Sequence, residues 1–345
     1  MMKQFFLLIL TLFSLSISAQ NHEVAQSSDE DTTAMDIPVI ADFSKNDTTV
    51  YTELHHKYKV NGSDTVTVHD YVNNYMLIVK DSTSNSYTIE FVPSRCDFDS
   101  EKPTMADSIA KAYWDNLERV TFMTDECGRV TKLKDWKSVR DIVRKAYERS
   151  IDILMSSAGG KLFNRDTFIE TFIDQTQTEE GVMGQLSFLE QLFGLYGKAF
   201  TEGTKDIEDE QNGYPAKIFV MASYETEELK EFYEDEEASE DDYFIATATE
   251  MKVPVKDVMG LGADVATSIM SDSVLEDPEK LKEELVAEAE GKGDVTVSLL
   301  ETYGFFYNGW PKISWQKKVV EAPAYNMKEV DCVYTDWKRI RWNNY

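Results

Sequence analysis

The chain has 345 residues, of which 42% are apolar and 12% aromatic. It can therefore bury a sizeable core and is not a wholly disordered protein. Its 35 Lys and Arg residues stand against 63 Asp and Glu residues, which gives a formal net charge of −28. Such an acidic chain is not expected to have nucleic acid or an anionic membrane surface as its main partner.

The N-terminal segment has the layout of a secretory signal peptide. Lys3 precedes a short apolar run from Phe5 to Phe13, and small residues lead to Ala19, after which cleavage is expected. The run is too short to span a bilayer, and no later run is long enough. We therefore predict a signal peptide over residues 1–19 and export to a periplasm or the extracellular space. Residues 20–40 are predicted to be a flexible acidic leader, and residues 41–345 one α+β domain, with two similar halves as the alternative.

Three strands with a period of two are predicted in the first third of the chain. Alternation over residues 50–60 is typical of a half-buried strand. The Asn61-Gly62 turn leads into a second strand over residues 65–80, whose alternation slips near Asp70 and indicates a β-bulge. In the third strand the alternating apolar residues are Tyr87, Ile89 and Phe91.

Helices and further strands follow along the rest of the chain. A tight hairpin is predicted at residues 125–128, and the clearest helical stripe covers residues 139–154. Asn212-Gly213 and Asn308-Gly309 are hairpin signals. The other predicted helices cover residues 105–118, 168–173, 186–196, 254–270 and 278–289. The other predicted strands cover residues 216–224, 243–251, 294–306, 312–320 and 331–342.

Three of the four histidines fall on the first predicted hairpin. If its apolar faces match, His56 lies opposite or diagonal to Asp70, and such a pair could orient a general base. His55 and His56 point to opposite faces of a strand, so a zinc site that includes His69 is not expected. No serine-hydrolase elbow, zincin helix, redox CxxC or dinucleotide fingerprint is present. We therefore assign no catalytic residue, metal site or cofactor, and a hydrolase working through His56 and Asp70 is kept as an alternative.

The most charged segment covers residues 225–242, where eleven acidic residues are opposed only by Lys230. It lacks the EF-hand pattern, and a run of charge is usually a solvated loop. An acidic surface that binds a partner protein or cations is therefore a second alternative for the function.

Two residue types leave alternatives open. An oxidising compartment permits one disulfide among Cys96, Cys127 and Cys332, but three thiols are equally compatible with the sequence. Four of the six tryptophans lie in the last 36 residues, where they form either the core of a terminal sheet or an exposed binding surface. The four are Trp310, Trp315, Trp337 and Trp342.

A family resemblance rests on three features. The predicted signal peptide ends in Ala-Gln, residues 121–133 (TFMTDECGRVTKL) form a strand-turn-strand that leads into a helix, and Gly309-Trp310 opens a closing strand. In these features the chain resembles uncharacterised exported proteins of the Bacteroidetes, including the DUF6263-type group. The resemblance implies a sheet curved around helices, similar to lipoprotein-carrier folds that hold apolar ligands, and it implies no catalytic residues. Together with the hairpins, it predicts an α+β fold with a curved antiparallel sheet and amphipathic helices packed on one face.

The functional prediction that follows is a non-enzymatic binding protein of the bacterial envelope. A curved sheet that carries helices on one face can leave an apolar pocket for a small molecule. The expected partner is an apolar small molecule or an envelope protein. The residues predicted to form the walls of the pocket are Leu54, Tyr58, Tyr87, Ile89 and Phe91.

Overall fold

The computed structural model describes residues 36–98, 101–157, 160, 163–224, 242–269 and 277–341. The strands in these residues are β1 (Asp36–Pro38), β2 (Thr48–Asn61), β3 (Asp64–Thr83), β4 (Ser86–Phe98), β5 (Val120–Asp125), β6 (Val130–Leu133), β7 (Ala199–Thr201), β8 (Gly203–Gln211), β9 (Tyr214–Tyr224), β10 (Tyr243–Pro254), β11 (Asp294–Phe305), β12 (Pro311–Ala322) and β13 (Met327–Arg341). The helices are α1 (Met105–Trp114), α2 (Trp136–Ser156), α3 (Arg165–Gln175), α4 (Glu179–Met183), α5 (Ser187–Phe193), α6 (Val255–Ile269) and α7 (Pro278–Ala289).

Eleven of these strands form one antiparallel sheet in the order β6-β5-β4-β3-β2-β13-β12-β11-β10-β9-β8. The strands from the early part of the chain form one side of the sheet, and the two sides meet where β2 pairs with β13. The sheet is curved but not closed, because β6 and β8 remain its two edges. β1 and β7 pair separately. The predicted α+β fold with a curved antiparallel sheet is thus confirmed.

The turn between β11 and β12 shows how local sequence determines a hairpin. The N–H of Phe306 donates to the carbonyl of Trp310 over 2.9 Å, as expected for a turn at Asn308-Gly309. Gly309 has φ +77°, and a Cβ added there would lie 2.0 Å from the carbonyl oxygen of Ile40. Only glycine fits this position, because it tolerates positive φ and lets the backbones approach closely.

Side chains cap the helices where the sequence supplies suitable residues. Thr104 Oγ1 accepts from the N–H of Asp107, and the Asp107 carboxylate accepts from the N–H of Thr104, which forms a capping box for α1. Asp277 caps α7, whose first residue is Pro278. The predicted start of this helix at Pro278 is confirmed.

Two apolar clusters lie on the same face of the sheet, the covered face. The first contains side chains of α1 to α5, of β2 to β6 and of one end of β9 to β11. Within it the rings of Phe91 and Phe188 stack at 3.9 Å. The second packs α6 and α7 onto the other end of β9 to β13. Helix packing on one face is therefore as predicted.

The register corrects one feature of the predicted hairpin. The residues of β2 that point to the covered face include Tyr51, Glu53 and Lys57, all buried, whereas Leu54 is exposed. The alternation was right, but the more polar set of residues faces the helices. The predicted bulge in β3 is present. Lys57 pairs with His69, but the next residue of β2, Tyr58, pairs with Thr67, so one residue of β3 is skipped.

Several predictions fall outside the described residues. These are the signal peptide over residues 1–19, most of the leader, the acidic run over residues 225–241 and Trp342. In the described part of the chain, no helix is long and apolar enough to cross a membrane. All three cysteines are free thiols, so no disulfide links them. Trp310 is fully buried, which places this tryptophan in the core.

Candidate functional site

The face of the sheet opposite the helices, here called the open face, is rich in apolar side chains. Cross-strand partners in an antiparallel sheet share a face, so the register assigns each side chain to one side. Neither apolar cluster contains a side chain from the open face. Across the six neighbouring strands from β3 to β10, the open face carries Leu54, Tyr58, Val72, Ala246, Ala248, Leu300, Trp315, Val319, Val330 and Tyr334.

A cavity of about 680 Å³ lies on this open face, over β8 to β12. Its volume is within the range of small-molecule sites in proteins. Phe219, Ala248 and Leu300 follow one another across three strands, and Val319 lies on the next strand. The exposed fraction of Phe219 is 37%, so the apolar surface is open to a ligand.

Charge is distributed unevenly around the cavity. Asp206 and Glu208 line it at the edge strand β8, and Glu250 lies next to Lys217 on the neighbouring strands. At the other end of the cavity, toward the middle of the sheet, the charged lining residue is Lys317 on β12. The cavity thus has an acidic outer end, an apolar middle and a basic inner end.

The five predicted wall residues are divided between the two faces. Leu54 and Tyr58 lie on the open face, toward the middle of the sheet. Tyr87, Ile89 and Phe91 lie on the covered face and are buried in the first apolar cluster. The predicted apolar set is therefore not one wall, and only its first two members share a face with the cavity.

Sequence reasoning missed the residues that line the cavity, although a signal was present. The pairs Phe219-Val220, Leu299-Leu300 and Val319-Val320 place two apolar residues side by side, so each strand has an apolar side chain on both faces. A strand that is buried on one face only should alternate apolar and polar residues. Such pairs on several strands therefore predict a second apolar surface.

The predicted His56–Asp70 pair is present on the open face. His56 Nδ1 lies 3.3 Å from Asp70 Oδ1, and the two residues are register partners. Sequence reasoning found no nucleophile beside this pair, but Cys332 is the register partner of His56 on the other side. Burial raises the pKa of the Cys332 thiol, and the nearby positive charge of Lys317 only partly opposes this. A thiol with a raised pKa is a poor nucleophile. The row formed by Cys332, His56 and Asp70 therefore does not have the chemistry of an activated cysteine.

The covered face carries a second polar feature, a belt of ionised residues between the two apolar clusters. Lys57 Nζ lies 2.7 Å from Glu329 Oε1 and 3.3 Å from Asp331 Oδ2, and Lys59 Nζ lies 3.3 Å from Glu329 Oε2. Burial lowers the pKa of Lys318, the register partner of Asp331, to about 8. In the described part of the chain, no group of three His, Cys, Asp or Glu side chains could hold a metal ion.

Asp331 makes the stability of the belt depend on pH. Burial would raise the pKa of Asp331, but His69 and the Lys57 ammonium outweigh this and lower the pKa to about 2. Because the folded pKa lies below the unfolded one, near 4, the stabilisation is complete above about pH 4 and is lost as the pH falls toward 2. We expect Asp331→Asn to lower the free energy of unfolding by about 2 kcal/mol at pH 7.

Urea denaturation at pH 7, 4 and 2.5 measures this prediction. The difference in unfolding free energy between the parent protein and Asp331→Asn should shrink as the pH falls. Asp81→Asn is the matched control, since Asp81 is 58% exposed and its pair with Lys45 is open to solvent. A difference for Asp331→Asn that stays constant across this range contradicts the assignment.

Comparisons with known proteins give only remote similarities. No family model matches the sequence, and no curated protein matches it. A structure of lipovitellin that concerns its lipid–protein interactions aligns with TM-score 0.38 and 10% identity over 88% of this chain and 26% of that one. A domain from Vibrio parahaemolyticus assigned to outer-membrane lipoprotein sorting aligns with TM-score 0.14 and 7% identity over 86% of each chain. An outer-membrane channel from Pseudomonas putida F1 aligns with TM-score 0.14 and 6% identity over 90% of this chain and all of that one.

The chain spans about a quarter of the length of lipovitellin, and each TM-score is below 0.5. These similarities therefore do not establish a shared fold or function. One distant neighbour is a lipoprotein-sorting domain, but the resemblance to the DUF6263-type group stays a prediction.

Proposed function

We propose that this chain is a non-enzymatic binding protein of the bacterial envelope that holds an apolar ligand against the open face of its sheet. The observation that carries the proposal is the cavity of about 680 Å³ on a sheet face that no helix of the two clusters covers. The envelope location rests on the predicted signal peptide. The acidic-surface and hydrolase alternatives stay predictions.

The physical argument concerns the hydrophobic effect. Phe219, Ala248, Leu300 and Val319 form a continuous apolar surface across β9 to β12, next to half-buried Trp315. Removing such surface from water contributes about 25 cal/mol for each Å² buried. A ligand that fills the cavity therefore gains binding free energy without a rearrangement of the core, because the helices pack on the other face.

The uncharged fluorescent dye Nile red tests the proposal directly. We expect saturable fluorescence enhancement with the parent protein, and an apparent Kd at least tenfold weaker for Phe219→Asp, a change of about 1.4 kcal/mol. The new carboxylate would either remain hydrated in the cavity or lose its hydration when the dye binds. Val66→Asp is the matched control, because Val66 is also an apolar strand residue, 59% exposed, and does not line the cavity.

Two results would overturn the proposal. One is dye fluorescence that does not saturate with the parent protein, or an equal loss of fluorescence in Phe219→Asp and Val66→Asp. The other is a dimer, detected by light scattering, that must dissociate before the dye binds. A second copy of the chain would then occupy the open face. Circular dichroism spectra of the two variants are the check that the sheet is retained.

A further inference from the structure

Lys317 is a cation set among uncharged side chains at the inner end of the cavity. Its register partners are Leu300 on β11 and Cys332 on β13. Its neighbours along β12 on the same face are Trp315 and Val319. The four diagonal positions carry Ser298, Thr302, Val330 and Tyr334.

None of these eight surrounding side chains is acidic, although the chain has a formal net charge of −28. Among the residues that the structure describes, no carboxylate oxygen lies within ion-pair distance of Lys317 Nζ, whereas Lys318, the next residue along the chain, has Asp331 as its register partner. The half-buried Lys317 side chain is therefore a positive charge on apolar surface without a carboxylate to neutralise it. The positive charge of Lys317 acts on its neighbours, since it opposes the rise in the pKa of the Cys332 thiol.

We propose that the ligand of the open face is an amphiphile with one anionic head group, which Lys317 binds, and an apolar tail, which lies across the strands toward Phe219. This inference rests on the proposed function and specifies its ligand class. An anionic head would be repelled at the outer end of the cavity, where the carboxylates of Asp206, Glu208 and Glu250 outnumber the single cation of Lys217. The charges of the site thus favour one orientation, with the head inside and the tail outward.

The dimensions of the sheet set the length of the tail. From Lys317 on β12 to Phe219 on β9 the path crosses Leu300 and Ala248, each the register partner of the next. Three intervals between adjacent strands amount to about 14 Å, which an extended chain of about twelve carbons can cover. Every side chain between the two ends of this row is apolar, so the tail has no polar group to displace.

Displacement of Nile red by ligands with a common dodecyl tail tests the head-group preference. We expect dodecanoate and dodecyl phosphate to displace the dye from the parent protein at concentrations at least tenfold below that of dodecyltrimethylammonium. Lys317→Met should reduce this preference to less than twofold, and Lys317→Arg should keep it. Lys252→Met is the matched control, because Lys252 is an exposed cation on the same face that does not line the cavity, and it should leave the preference intact.

The outcomes separate this inference from the proposed function. Equal displacement by anionic and cationic ligands, or a preference that survives in Lys317→Met, would refute the role of Lys317 while the apolar site remains. Absence of dye binding by the parent protein would refute the proposed function itself. Displacement by only one of dodecanoate and dodecyl phosphate would support an anionic head and identify it as carboxylate or phosphate.

Discussion

Lys57→Met is expected to lower the free energy of unfolding by about 3–5 kcal/mol, because it leaves the buried carboxylate of Glu329 without its nearest cation. Lys57 is 3% exposed and Glu329 2% exposed, and their charged atoms are 2.7 Å apart. Lys59 remains at 3.3 Å from the other carboxylate oxygen, but it is more exposed to water and neutralises the charge less completely. Urea denaturation at pH 7 measures the loss.

The double variant Lys57→Met/Glu329→Leu tests whether the loss comes from an unpaired charge. Replacing both partners by apolar side chains removes the buried carboxylate together with the cation, so we expect it to be more stable than Lys57→Met alone. Lys45→Met is the surface control, since Lys45 and Asp81 are 3.3 Å apart but 60% and 58% exposed, and it should cost less than about 1 kcal/mol. A double variant less stable than Lys57→Met would contradict this explanation.

The same pair explains why the covered face of β2 could not be identified from the sequence. Over residues 50–60 the set with Leu54 and Tyr58 is the more apolar one, and alternation alone predicts that it faces the core. In the structure the set with Glu53 and Lys57 faces the helices, because Glu329 on the adjacent β13 neutralises Lys57. The partner comes from the other end of the chain, so local periodicity contains no information about it.

Elements determined by local chemistry were predictable. The Asn308-Gly309 turn and the Pro278 start of α7 appear where the sequence places them, because turn geometry and helix capping depend on a few neighbouring residues.

The edge strand β8 was not predicted. Its sequence, GTKDIEDEQ, is exposed at nearly every residue and is typical of a charged loop. Charged residues are what an edge strand needs, since they oppose pairing with another chain.

The candidate site was predictable only in part, for a related reason. Leu54 and Tyr58 were expected to contact a ligand and do lie on the open face. Phe219, Leu300 and Lys317 come from three strands of the second half of the chain, and their proximity depends on the order of β9 to β12 in the sheet. Paired apolar residues indicate that both faces of these strands are apolar, but they do not indicate which strands are neighbours.

Trp310→Ala is expected to lower the free energy of unfolding by about 3–5 kcal/mol, through lost apolar burial and the cavity left behind. The Trp310 side chain is fully buried, and its ring lies 4.2 Å from that of Phe43. The turn that carries it also holds the segment before β2, because the N–H of Asp42 donates to the carbonyl of Asn308 over 3.0 Å. The substitution should therefore loosen this segment as well as the core.

Urea denaturation compares Trp310→Ala with Tyr307→Ala, a truncation in the same turn. Tyr307 is 63% exposed, so its loss should change the free energy of unfolding by no more than about 0.5 kcal/mol. Hydrogen exchange should show faster exchange at the N–H of Asp42 in Trp310→Ala and no change there in Tyr307→Ala. If both variants lose stability equally, the turn itself and not the buried indole stabilises this region. If Trp310→Ala is destabilised without faster exchange at Asp42, the indole acts within the core alone and the N-terminal segment is held by other contacts.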